Sequence, residues 1–242
     1  YIAFYISREK KEEENKRLDK DERDYLSKLS RRIYSYYEDF INEENNYLPP
    51  DNYQERPFKG VAHRTSPTNI GMGFMAYVTA YDLGYITITE FIDKTKNMMD
   101  ALKELKKFHG HYLNWYDTQT KTALNPQYIS TVDNGNLIAC LWILKETMKE
   151  VKKAPLIRKE EITSLNDICR IIKERNTEIE IEIEIPKNIT GREYLNVLEK
   201  IFIDINSIDG SFDSETEYWL NKLFCEVSRK IEIYYEVFDN LE

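Results

Sequence analysis

Cysteine, histidine, glycine and proline are all scarce in this chain, and it has no long apolar run. Three cysteines (Cys140, Cys169 and Cys225) stand far apart, each among apolar neighbours at helical spacing. Their separation excludes a disulfide framework and predicts reduced, buried thiols. Of three histidines, His109 and His111 lie two apart with no third ligand at metal-binding spacing, so neither a metal nor a cofactor is expected. No stretch is long and apolar enough to cross a bilayer. Basic residues are outnumbered by acidic ones, 34 to 43, and are dispersed. The net charge of −9 excludes nucleic acid as a partner, because phosphate binding draws on clustered Lys and Arg. No serine lies in a strand–turn–helix elbow, and Gly71-Met72-Gly73 falls inside a helical pattern, so neither a serine nucleophile nor a phosphate loop is predicted.

What the chain does have is helical periodicity. Leu26, Leu29, Ile33, Tyr36, Tyr37 and Phe40 recur at three- and four-residue steps and predict a helix over 24–44, capped by Asp21 or Asp24. It must end before Leu48-Pro49-Pro50. Ser66-Pro67 is a cap followed by proline at the first helical position, opening an apolar helix over 68–83. Its small residues, Gly71, Gly73, Ala76 and Ala80, let neighbours approach closely, which marks an inner helix closed by Gly84. Thr87 or Thr89 opens the next, running to about Phe108, and Asn134 or Asn136 begins another, running to about Lys152. Further helices are predicted over 162–174, 190–205 and 214–241. Trp142 and Trp219 both sit on apolar helix faces and are expected in the core.

The stretch 178–185 reads EIEIEIEI. Two-residue alternation puts every isoleucine on one face of a strand but scatters them round a helix. One strand or extended edge segment is therefore expected, its glutamates discouraging edge-to-edge association. An acidic binding stripe is the competing reading. The fold class that results is all-α: antiparallel helices alternating between apolar and amphipathic, as in helical toroids, with no repeat of fixed length. Residues 24–242 form the helical domain, preceded by 1–23. Tyr1–Ile6 is a short apolar run ahead of a charged tract, either a membrane-helix stub or a frayed amphipathic terminus. Opening on Tyr1 rather than methionine, the chain reads as a piece of a longer protein.

Residues 109–136 form a connector too long for a simple turn, and long connections usually carry function. Tyr112, Leu113, Trp115, Tyr116, Tyr128 and Ile129 give it apolar mass to bury. Asn114, Asp117, Ser130, Thr131, Asp133, Asn134 and Asn136 alternate with those rings. Flat rings and forked carboxylates and amides are what a sugar-binding surface requires. Asp117 and Asp133 are the catalytic candidates as a glycosidase-type carboxylate pair, set against a turn- and helix-capping role. Arg64 is expected to orient one of them or to grip sugar hydroxyls.

Four motifs together carry a family resemblance: Tyr47–Asn52 (YLPPDN), Ala62–Gly71 (AHRTSPTNIG), Gly110–Thr118 (GHYLNWYDT) and Tyr128–Leu137 (YISTVDNGNL). In order and spacing they resemble the cyclic β-1,2-glucan synthase family of bacterial inner-membrane proteins, over about Arg31–Met148. The resemblance implies a parent that polymerises glucose from UDP-glucose in a glycosyltransferase domain. A glucoamylase-like (α/α)6 toroid would then close the chain into a ring by transglycosylation, and this chain would begin that toroid. It also implies Tyr1–Ile6 as a membrane-helix stub, a place at the cytoplasmic face of the inner membrane, and β-1,2-glucan and the parent's other domains as partners. Arg64, Asn69, Asn114, Trp115, Tyr116, Asp117, Ser130, Thr131, Asp133 and Asn136 become the glucan-contacting candidates. About seven of twelve toroid helices are present, so the piece is expected to be inactive alone and open to homo-oligomerisation through uncovered inner faces.

Overall fold

A computed structural model describes residues 17–186 and 190–238. The Tyr1–Ile6 stub lies outside the described residues.

The described residues form eight helices: α1 (Lys20–Phe40), α2 (Pro67–Asp82), α3 (Ile88–Glu104), α4 (Thr131–Val151), the short α5 (Glu160–Thr163), α6 (Leu165–Arg175), α7 (Gly191–Asn206) and α8 (Ser214–Phe238). Three antiparallel ladders of two residues per strand lie between them. They are β1 (Tyr53–Gln54) with β2 (Gly60–Val61), β3 (Arg64–Thr65) with β6 (Tyr116–Asp117), and β4 (Lys107–Phe108) with β5 (His111–Tyr112). The all-α reading holds. These ladders were not anticipated, because two-residue strands leave no alternation to read.

Caps place several helix starts as expected. The Ser66 hydroxyl accepts from the Asn69 amide with Pro67 at the first position, and Thr87 and Thr190 each form a capping box. Gly84, with φ +81°, follows α2; a Cβ there would fall 2.2 Å from the Glu160 main chain, so glycine is demanded by both conformation and space. Three boundaries need correction. Asp19, not Asp21 or Asp24, caps α1 in a capping box with Glu22. Helix α3 stops at Glu104, since β4 pairs with β5 through a turn at His109-Gly110. Helix α4 starts at Thr131 under a Ser130 cap, so Asp133, Asn134 and Asn136 are helical rather than part of the connector.

Two apolar cores result. The first gathers α1–α4 around the fully buried Leu48, Ile70, Phe74, Phe91, Met98 and Tyr116. Each such burial is worth about 1.5–3 kcal/mol. At its centre α2 lies against α4, where the missing side chain of Gly71 leaves room for Cys140 and Leu137. The close approach predicted from the small residues is therefore made. The second core gathers α5–α8 around Ile162, Leu165, Ile168, Leu198, Leu223 and Val227.

A polar seam joins the two cores. Arg31, fully buried on α1, donates to Glu38 (3.1 Å) and to Glu226 of α8 (3.3 Å), within cation–π range of Tyr34, Tyr85 and Trp219. Lys230 of α8 donates to Glu226 (2.6 Å) and to the Tyr85 carbonyl (3.3 Å). Burial alone would raise Glu38, but Arg31, Lys222 and Arg229 around it hold it at about 2. Burial pushes Asp167, which accepts from the Tyr85 hydroxyl, up to about 6 against the pull of Arg170.

Three expectations fail on burial. Helix α1 buries Arg31 and Tyr34, while Leu26, Leu29 and Ile33 are exposed, because the seam rather than the leucine stripe meets the second core. Trp142 is 70% exposed, since α4 turns Asn134, Leu137 and Leu144 inward and Trp142 lies off that stripe; Trp219 is buried as expected. Cys225 is exposed and only Cys140 and Cys169 are partly covered. The stretch 178–185 is the extended segment rather than the paired strand, since it pairs with no strand among the described residues. Its isoleucines do turn inward and its glutamates outward, as an extended chain requires.

Candidate functional site

The connector folds back across the N-terminal ends of α2 and α4. Strand β6 pairs with β3, setting Arg64 opposite Asp117 and Thr65 opposite Tyr116. Behind this ladder Asn45 is buried, accepting from the Thr118 hydroxyl (2.7 Å) and contacting His63 Nδ1 (2.9 Å). Asn46, with φ +50°, donates to the carbonyls of Thr118 (2.8 Å) and Gln119 (2.7 Å). Asn134 grips the main chain of Tyr112 through both amide atoms. These polar staples add to the short β3–β6 and β4–β5 ladders in holding the segment in one shape.

Tyr116 is fully buried, its hydroxyl donating to the Lys106 carbonyl (2.7 Å) and accepting from the Leu113 amide (2.6 Å); burial pushes its pKa up to about 12. No ligand can reach it. Its expected glucan contact is corrected to a scaffold role, the apolar ring having won a place in the core.

Asp117 braces its own turn. One of its oxygens accepts from the amides of Gln119 (3.0 Å) and Thr120 (2.8 Å) and from the Thr120 hydroxyl (3.0 Å). This is a closed aspartate turn, the capping alternative to the glycosidase pair. Although Arg64 sits opposite Asp117 in the ladder, its guanidinium forks onto Asp51 through Nε (3.2 Å) and Nη2 (2.9 Å). Asn69 donates to the other Asp51 oxygen (3.1 Å). Asp51 thus takes the role expected of Asp117 or Asp133. The sequence signal was its place in the YLPPDN motif, where no chemistry marked it out from other loop carboxylates.

Asp133 sits in the first turn of α4, its amide donating to the Ser130 hydroxyl (3.2 Å). The Thr68 hydroxyl donates to Asp133 Oδ1 (2.5 Å), and Asn136 donates to Thr68 (3.0 Å). With its amide oriented to satisfy all three neighbours, Asn114 donates to Asp133 Oδ2 (3.2 Å) and accepts from the Tyr128 hydroxyl (2.7 Å) and Trp115 Nε1 (2.5 Å). The Arg64 guanidinium lies 4.8 Å from the centre of the Trp115 ring. Trp115 therefore joins the Asp51–Arg64–Asn69 group to the Asp133–Asn114–Thr68–Asn136 group. Arg64, Thr131, Asn136 and Tyr128 are exposed along this face. Thr68 is the second member that sequence reasoning missed, hidden as an ordinary helix-start residue.

Chemically, the face offers a cation on an indole, one carboxylate paired with that cation and one held by neutral donors, and outward amides and hydroxyls. Such a set recognises neutral polyols by forked hydrogen bonds and ring contact. Among the described residues no three His, Cys, Asp or Glu side chains gather in a way that could hold a metal ion, and no helix is long and apolar enough to cross a membrane.

No protein-family model matches the chain. A putative glucoamylase of Bacteroides fragilis NCTC 9343 is similar in structure, with TM-score 0.44 and 18% identity over 59% of this chain and 37% of that one. The cyclic β-(1,2)-glucan synthase NdvB of Rhizobium meliloti (strain 1021) is 32% identical over 179 residues, which is 74% of this chain and 6% of that protein. The resemblance carried by the four motifs is thus a relationship in sequence: the chain is a relative of a cyclic β-(1,2)-glucan synthase, matched to a small part of its length.

Proposed function

We propose that the face built from Asp51, Arg64, Asn69, Asn114, Trp115, Asp133 and Asn136 contacts β-1,2-glucan as part of a glucan-processing toroid completed by other parts of a longer chain. The observation that carries this reading is the continuous contact from Asp51 through Arg64, Trp115 and Asn114 to Asp133. A set so fully cross-braced spends little entropy on meeting a sugar. The relationship to a glucan synthase supports glucan as the ligand class, and the parent's activity would be polymerisation and ring closure at the cytoplasmic face of the inner membrane.

A second reading, guidance of glucan without chemistry, is favoured by Asp117, whose carboxylate is committed to its own turn. In that reading Asp133 hydrogen-bonds sugar and transfers no proton. The exposed apolar side of α4 and α1, with Trp142, Ile138 and Ile33, would be covered by the parent's further helices or by a second copy.

The test is calorimetric titration of the chain with linear β-1,2-gluco-oligosaccharides, with β-1,3 and β-1,4 chains of equal length as controls. Preferential binding of the β-1,2 series, weakened by Trp115→Ala and Asp133→Asn, is expected. Equal or absent binding of all three would sink the glucan reading. Turnover by a longer chain that survives Asp133→Asn would select guidance over chemistry.

A further inference from the structure

The EIEIEIEI stretch plays no part in the glucan face, which belongs to the first core. It lies on the second core, where Ile179 is buried and Ile181, Ile183 and Ile185 pack as partly buried side chains. Alternation of burial along 179–185 is what an extended backbone produces. Yet among the described residues no main-chain N–H or C=O from Glu180 to Pro186 finds a hydrogen-bond partner within the chain. An extended segment anchored by its side chains with its peptide groups unpaired is a strand awaiting a neighbour.

A groove lies on each side of it. Towards α6 the groove is about 370 Å³, lined by Cys169, Arg170 and Lys173, and there Lys173 already pairs with Glu180 (2.6 Å). Towards α7 the groove is about 340 Å³, with Val197 and Ile201 beside Ile183 and Ile185. Glu182 and Glu184 line this groove too; they form no ion pair among the described residues and outnumber Lys200, the one cation in the lining. The α7 side therefore combines an open strand edge, an apolar floor and a lining that is negative on balance.

We propose that the α7-facing edge of 180–185 is a docking site for an extended segment of a partner protein that alternates apolar with basic residues. The added strand pairs with the free peptide groups. Its apolar side chains settle on Val197 and Ile201, and its lysines or arginines stand beside Glu182 and Glu184. A second copy of the same stretch is disfavoured as occupant, because its glutamates would lie beside these.

The experiment uses the whole chain and a fluorescent eight-residue peptide alternating valine and lysine, followed by anisotropy at low salt and by amide hydrogen exchange. Saturable binding is expected, with slowed exchange at 180–185. Binding should weaken at least tenfold for a valine–glutamate peptide, and likewise for a valine–lysine peptide N-methylated along one edge. Glu182→Lys with Glu184→Lys, both at exposed positions, should weaken valine–lysine binding by a similar factor while leaving circular dichroism and β-1,2-glucan titration unchanged. No binding, equal binding of the N-methylated peptide, or slowed exchange elsewhere but not at 180–185 would each overturn the proposal.

Discussion

Arg64 and Asp117 face each other across the β3–β6 ladder, yet their charged groups turn away from each other, Arg64 to Asp51 and Asp117 to Thr120. Ladder register fixes where main chains meet, whereas a long side chain selects among every acceptor within reach. The preference of Arg64 follows from the planar fork it can form on Asp51 while lying over Trp115.

Arg64→Lys is expected to weaken β-1,2-glucan binding about tenfold, on the order of 1.4 kcal/mol, because an ammonium can neither fork nor stack in this way. The Arg64–Asp51 pair is too exposed to matter much to the fold, so the melting temperature should barely move. Calorimetric titration beside a thermal melt separates the two effects.

Asp117→Ala and Asp133→Asn should behave in opposite ways. The first opens a turn closed by three hydrogen bonds and should cost ~1 kcal/mol of stability with glucan affinity nearly intact. The second keeps shape and should spare stability while lowering affinity. Denaturant midpoints and titrations on both variants check this, and a loss of affinity confined to Asp117→Ala would reverse the assignment.

Gly84→Ala should destabilise by at least ~1–2 kcal/mol, the cost of a left-handed conformation for a residue with a Cβ. The clash with the Glu160 main chain adds to it. A lowered denaturant midpoint is the readout.

Arg31→Met leaves Glu38 and Glu226 without their shared cation in a buried seam and should cost about 3–5 kcal/mol. Urea unfolding followed by both fluorescence and circular dichroism would show whether the two cores still unfold together.

Stability should rise and then fall with pH on account of two carboxyls. Glu38, held at about 2 in the fold against an ordinary 4.5, binds fewer protons folded than unfolded between those values, so its contribution is lost as pH falls through that window. Asp167, raised from 3.8 to about 6, does the reverse: the folded state keeps a proton the unfolded state has released, and stability declines as pH climbs from about 4 to 6. Asp167→Asn should flatten the second limb, and Glu38→Gln the first, in melts taken from pH 3 to 7.

Much of this protein was determined by the chain read in one dimension. Ser66-Pro67, Thr87 and Thr190 open helices because a cap is a contact between residues three apart. Gly71 announced a close helix approach, made in the fold by α4, because an absent side chain leaves the room for it. The alternation at 178–185 placed its isoleucines inward because side-chain direction in an extended chain depends on residue parity alone.

Tertiary structure decided what depends on a distant neighbour. Apolar residues surround much of α1 and α4, and which of their stripes is covered was settled by where α2 and α8 lie; hence Trp142 and Ile33 are exposed while the charged Arg31 is buried. The choice of Asp51 over Asp117 as the partner of Arg64 spans 13 residues through an irregular loop, where no periodicity exists to read. Periodicity and caps are short-range and additive, whereas burial and charge pairing depend on what the rest of the chain brings within a few ångströms.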